Sequence, residues 1–137
     1  MHADVVSLLR ERDIQPSAQR VAIAEYVLET TSHPSADQVW ERVKSRIPMV
    51  SRATVYNTLN LFVSHGLLRE LVLAEGRIVF DPRIEPHHHM VDVETGEIHD
   101  IAWDKLEVKG VDQLANLDVH EHQVVLRGRI RRGKSKS

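Results

Sequence analysis

The sequence predicts an α+β fold, an N-terminal winged helix-turn-helix unit followed by a small α/β unit. Three observations carry this expectation. Apolar residues recur at helical spacing from Val5 to about His65. Short β-branched runs with turn signals between them take over from Leu67. Pro82 and Pro86 then bracket a linker, and the charge balance changes beyond it.

Val5, Leu8 and Leu9 mark a first helix, ended by Arg12-Asp13. Ser17 is placed to cap a second helix running to about Thr30, with Val21, Ala24 and Leu28 as its apolar stripe. Thr31-Ser32-His33-Pro34 breaks it. Ser35 caps a third helix with Ala36, Val39, Trp40 and Val43 inward, and Pro48 stops it shortly after Arg46. Ser51 opens a fourth helix through about His65, closed by Gly66 at a C-cap position. Val55, Leu59, Phe62 and Val63 make one face of that helix; Tyr56, Asn57, Asn60 and Ser64 make another. Residues 67–73 and 77–81 read as two strands joined by Ala74-Glu75-Gly76. Helices leading into a β-hairpin give the order of a winged helix.

Beyond the linker, residues 87–93 and 97–102 read as strands joined by Glu94-Thr95-Gly96. A helix is expected over residues 111–117 and a third strand over 119–130. The resulting boundaries are 1–82 for the winged helix, 83–86 for a hinge, 87–131 for the second unit and 132–137 for a basic tail. A unit of about 45 residues buries too little apolar area to stand alone, so dimerisation through it is the natural remedy.

Composition narrows the class. Apolar residues at 42% and charged residues at 28% are ordinary for a globular chain and exclude widespread disorder. No apolar run approaches the roughly 20 residues of a membrane helix. The opening residues lack the apolar stretch of a secretory signal, so no membrane association and a cytoplasmic location are expected. Cysteine is absent, which excludes disulfides, thiolate nucleophiles and sulfur-ligated zinc. Net charge is −2 but unevenly spread. Residues 1–82 carry 9 Lys/Arg and 10 Asp/Glu, residues 83–126 carry 3 and 10, and the tail from Arg127 adds six bases and no acid. Five of the nine histidines lie at 87, 88, 89, 120 and 122. Histidine and acid without cysteine fit either a metal held by nitrogen and oxygen ligands or a solvated acidic surface.

Two groups of residues carry chemistry. The fourth helix offers Arg52, Thr54, Tyr56, Asn57 and Asn60, and Ser51 stands where backbone N–H groups are free at its start. Such a face suits phosphate and base-edge contacts in a major groove, and is equally what a solvated helix presents. The helix-turn before it and the hairpin after it favour the first reading. On a strand, His87 and His89 share a face and His88 points away. Asp81, Asp100 and His33 complete a set of three imidazoles and two carboxylates suited to Fe²⁺, Mn²⁺ or Zn²⁺.

These residues resemble the ferric uptake regulator family of bacterial metal-dependent transcription factors. The resemblance rests on Gln19-Arg20, His33-Pro34-Ser35-Ala36-Asp37 and Ser51-Arg52-Ala53-Thr54-Val55-Tyr56-Asn57-Thr58-Leu59. Phe80-Asp81, His87-His88-His89 and Thr95-Gly96-Glu97-Ile98-His99-Asp100 continue it. It is nearest to the peroxide-sensing branch, which implies a regulatory Fe²⁺ or Mn²⁺ bound by His33, Asp81, His87, His89 and Asp100. It also implies a homodimer on double-stranded operator DNA, contacted through Arg20, Ser51, Arg52, Thr54, Tyr56 and Asn57. Oxidation at His33 or His87 would be the signal. Iron-response regulators that read haem share the triple histidine and are the rival within the family. Many members hold the second unit with four cysteines on zinc; Asp92 and Thr95 stand where the first pair would fall, so that site cannot form. His88, His120 and His122, with Glu121 beside them, are candidates for a second metal or haem site, or are plain solvated histidines. A metal-dependent enzyme is the alternative from another class, but the chain has little material for a substrate pocket, so no catalytic activity is expected.

Overall fold

The computed structural model describes residues 2–73 and 76–131. The turn expected at Ala74-Glu75-Gly76 lies partly outside these residues, and the basic tail 132–137 lies wholly outside them. The chain divides into two units, Met1–Ile84 and Glu85–Ser137.

In the first unit, α1 (His2–Glu11), α2 (Ala18–Val27), α3 (Ala36–Val43) and α4 (Arg52–Ser64) precede β1 (Arg69–Val72) and β2 (Ile78–Asp81). Each of α2, α3 and α4 starts where a serine satisfies orphan backbone donors. Ser17 accepts from the Arg20 N–H, Ser51 from the Thr54 N–H, and Ser35 forms a reciprocal capping box with Gln38. α2 ends three residues before the expected Thr30, where the Glu29 N–H tightens to an i−3 bond on the Tyr26 carbonyl at 3.4 Å. α4 ends at Gly66, whose φ of +81° is the left-handed conformation that glycine adopts without Cβ strain. Arg12 lies over that turn and donates to the carbonyls of His65 and Gly66 at 3.2 and 3.0 Å.

Leu9, Ile23, Val39, Val55, Leu59 and Phe62 are fully buried where the helices meet, and Leu67, Leu68 and Phe80 extend this core to the hairpin. Burying each large side chain contributes about 1.5–3 kcal/mol. β1 and β2 pair antiparallel, Arg69 opposite Asp81 and Val72 opposite Ile78. The Phe80 N–H donates to the Pro34 carbonyl at 2.9 Å and ties the α2–α3 loop to β2.

In the second unit, β3 (His88–Asp92) lies between β4 (Ile98–Ile101) and β5 (Val125–Gly128). β3 pairs antiparallel with β4, placing His89 opposite Asp100, and parallel with β5, placing His89 opposite Val125. Two expectations are corrected by this unit. The helix expected over 111–117 is a single 3-10 turn, Val111–Gln113. Gly110 at φ +90° precedes it, Asn116 at φ +64° turns the backbone out of a helical path after it, and Leu114 and Leu117 are exposed. The strand expected over 119–130 is only Val125–Gly128, so His120 and His122 lie outside it and do not share a strand face.

Candidate functional site

Within the first unit, His33 and Asp81 meet. The Phe80–Pro34 bond places the residue before Pro34 beside the end of β2, and His33 Nε2 lies 3.2 Å from Asp81 Oδ2. His33 holds φ at +54°, a conformation that costs a residue with a Cβ about 1–2 kcal/mol. Backbone strain of this kind gathers where a side chain is held for a task. The other Asp81 oxygen accepts from the Arg83 N–H at 2.9 Å, which fixes the carboxylate plane.

Within the second unit, His87, His89 and Asp100 converge. His87 immediately precedes β3, and its Nδ1 is 2.8 Å from the Glu85 carbonyl. His89 Nδ1 is 2.8 Å from Gln123 Oε1. Both partners are acceptors, so each Nδ1 is the donor, and in the neutral ring each Nε2 presents a lone pair. Those two Nε2 atoms lie 3.4 and 3.6 Å from the same oxygen, Asp100 Oδ1. Two imidazole lone pairs and a carboxylate turned toward one another repel until a metal cation or a proton stands between them. The donor set therefore fits a divalent metal, and the Nδ1 partners are the outer bonds that orient metal-ligating histidines. Gln123 was missed by sequence reasoning, since its 34-residue separation from His89 leaves no local signal.

His88 is built the opposite way. Its Nδ1 accepts the Val124 N–H at 2.9 Å, so Nε2 bears the proton, and its ring stacks on Trp103 at 4.5 Å and 15°. Trp103 also touches His122 at 4.9 Å, while His88 and His122 stand 6.5 Å apart. His120 joins neither ring and lines an open groove with Glu107, Asp112 and Glu121. These three histidines do not converge on a point as the other set does.

On the first unit, α4 presents Arg52, Tyr56 and Asn57 to solvent, with Thr54 half-buried. Arg20 donates to the Gln15 carbonyl at 2.9 Å and lines a 440 Å³ hollow with Thr54 and Asn57. Ser51 is occupied as the α4 cap. Arg52 Nη2 and Nε donate to Asp37 Oδ1 at 2.6 and 3.1 Å, and the Tyr56 hydroxyl donates to the same oxygen at 3.1 Å. The Arg52 guanidinium holds the Asp37 carboxyl below its usual range, with Tyr56 assisting, and Asp37 in turn raises Arg52.

The family model described as the ferric uptake regulator family matches residues 11–127. The chain belongs to the ferric uptake regulator family. The peroxide-responsive repressor PerR of Staphylococcus epidermidis is 31% identical over 127 residues, covering 90% of this chain and 83% of the relative. The crystal structure of the Vibrio cholerae ferric uptake regulator superposes with a TM-score of 0.73 at 25% identity, over 91% of this chain and 98% of that one. The ferric uptake regulator of Pseudomonas aeruginosa with manganese gives 0.68 at 26% identity, over 91% and 96%.

Membership makes the chain a metal-responsive regulator rather than an enzyme. No helix among the described residues of this regulator is long and apolar enough to cross a membrane. At Asp92 and Thr95, where the resemblance implies the first cysteine pair of many members would fall, it has a hydrogen-bonded turn. Asp92 Oδ1 accepts from the N–H groups of Glu94 and Thr95 at 2.9 and 3.3 Å, and Thr95 Oγ1 accepts from the Glu97 N–H at 3.1 Å.

Proposed function

We propose that this protein is a cytoplasmic, homodimeric repressor whose grip on operator DNA depends on one Fe²⁺ or Mn²⁺ per protomer and is released by peroxide. The observation that carries the reading is the pair of acceptor imidazoles, His87 and His89, turned on Asp100 with both Nδ1 protons already engaged. His33 and Asp81, held together in the first unit, supply the remaining ligands. Residues 83–86 then act as a hinge between a DNA-binding unit, 1–82, and a dimerisation and sensing unit, 87–131. A metal with ligands on both sides of a hinge binds one interdomain angle better than the others and so selects it. The donor set also accepts Zn²⁺, which purified protein can carry.

Two copies present α4 to successive major grooves of a pseudo-palindromic site. Arg20, Ser51, Arg52, Thr54, Tyr56 and Asn57 make the contacts. Dimerisation through the second unit is supported by its small size and by exposed Leu114, Leu117, Val119 and Leu126. When bound there, Fe²⁺ would open the peroxide O–O bond by lending one electron and regaining it, so that the two electrons peroxide takes up overall come from the imidazole. One peroxide oxygen is then added to a ring carbon of His33 or His87 and the other leaves as water. The altered ring is a poorer ligand, and the hinge is released. With no cysteine in the chain, a thiol switch is impossible.

Mass spectrometry of Fe²⁺- and Mn²⁺-loaded protein after a low dose of peroxide tests the reading, alongside gel shifts of the same samples. A gain of about 16 Da, one oxygen, on the peptide carrying His33 or His87 is expected with iron and not with manganese, together with loss of DNA binding. An unmodified, DNA-bound iron form would sink peroxide sensing. A Soret band and altered DNA binding on adding haemin would point to a haem-responsive regulator instead.

A further inference from the structure

The arrangement of Asp37, Arg52 and Tyr56 is more elaborate than stability asks, since an acid in the first turn of α3 complements the helix dipole without any partner. Asp37 lies in the first turn of α3 and Arg52 in the first turn of α4, and both side chains are more than half exposed. Exposed ion pairs contribute little to folding. Yet the arginine is held with unusual completeness. Asp37 Oδ1 takes Nε and Nη2, Tyr56 anchors the same oxygen, and the guanidinium lies 5.6 Å from the Trp40 ring and 5.8 Å from the Tyr56 ring. Trp40 is itself fixed by a 3.2 Å bond from Nε1 to the Val50 carbonyl. A guanidinium has five N–H donors in a rigid fork. Asp37 takes the Nε–Nη2 side of the half-exposed Arg52 and leaves the Nη1 donors outside that contact.

We propose that Asp37 is a specificity-determining positioning residue: it orients Arg52 and Tyr56 so that the Nη edge of Arg52 reads a base in the major groove, guanine O6 and N7 being the acceptor pair that matches it. Without Asp37 the arginine is a mobile cation, as ready to pair with any phosphate as with a base. A bare carboxylate near DNA is repelled by phosphate, and pairing with Arg52 offsets that repulsion. Here it exchanges non-specific attraction for a fixed direction. The proposal rests on the assignment of α4 to the major groove.

The test uses full-length, Mn²⁺-loaded protein and two probes: a duplex recovered by the wild-type protein from a random-sequence pool, and a shuffled duplex of the same composition. Asp37→Ala is expected to lower the ratio of selected to shuffled affinity about tenfold, within the range for one bidentate base contact. Affinity for the shuffled duplex should hold or rise. Asp37→Asn, whose amide oxygen still accepts from Arg52 and Tyr56, should recover part of the ratio. In an Arg52→Ala background, Asp37→Ala should have little further effect on the ratio. If Asp37→Ala changes both affinities by one factor, or changes neither, the positioning role is wrong. Arg52→Ala and Tyr56→Ala separate the two failures. Wild-type binding by both overturns the α4 assignment, whereas weakened binding by both with an unchanged ratio in Asp37→Ala overturns only the role of Asp37. Thermal melts of the Asn variant confirm that the fold persists.

Discussion

At the scale of single residues, the candidate ligands are held by partners of their own. His89 depends on Gln123, and Asp81 on the Arg83 N–H. His89→Ala removes a lone pair and is expected to lower Mn²⁺ affinity sharply and to abolish metal-dependent DNA binding; unchanged stoichiometry and affinity in a competition titration would remove the site. Gln123→Ala leaves the ligand but frees its ring, and should cost about 10–100-fold in the same titration. Asp37 allows a pH statement. Its carboxyl is depressed by Arg52, so the pairing is complete above the ordinary carboxylate value of 3.8 and is lost only as pH falls through the lower value of the folded protein. Operator binding between pH 6 and 8 should therefore not vary through Asp37, and Asp37→Asn should leave the shape of that profile unchanged.

At the scale of elements, the serine caps and the glycine stop of α4 were readable directly, because capping is a contact within three or four residues. Gly66→Ala is expected to destabilise the fold by about 1–2 kcal/mol through left-handed strain alone. The added Cβ would also meet Arg12 Nη1 at 2.9 Å. Urea melts measure the sum. α4 was likewise readable as two-faced. Tyr56→Ala and Arg52→Ala should weaken operator binding while metal content and dimer mass persist, and loss of a phosphate contact should flatten the salt dependence by about one unit of slope. The second unit was less legible. Its apolar residues over 111–117 read as a helix, but Leu114 and Leu117 find no cover among the described residues and only a 3-10 turn forms.

At the scale of the whole molecule, the absence of cysteine decides what can hold two copies together. A hydrogen-bonded turn at Asp92 and Thr95 stands where the resemblance implies the first cysteine pair would fall, and it needs no metal to persist. The dimer is accordingly expected to survive exhaustive EDTA treatment while DNA binding is lost. Sedimentation at micromolar protein checks this, and complete dissociation to monomers would contradict it.

The sequence by itself determined the family, the order of elements and the identity of the metal-ligand candidates. Those properties are written in local spacing: helical and strand periods, caps, and the His87-His88-His89 run. Only the tertiary structure decided which ring nitrogen of His88 and His89 donates and the pairing of Asp37 with Arg52. Both depend on partners 15 to 36 residues away along the chain. A histidine's tautomer follows from whether its neighbour donates or accepts, and no periodicity encodes that neighbour. His88 and His89 are adjacent in sequence and opposite in tautomer for that reason.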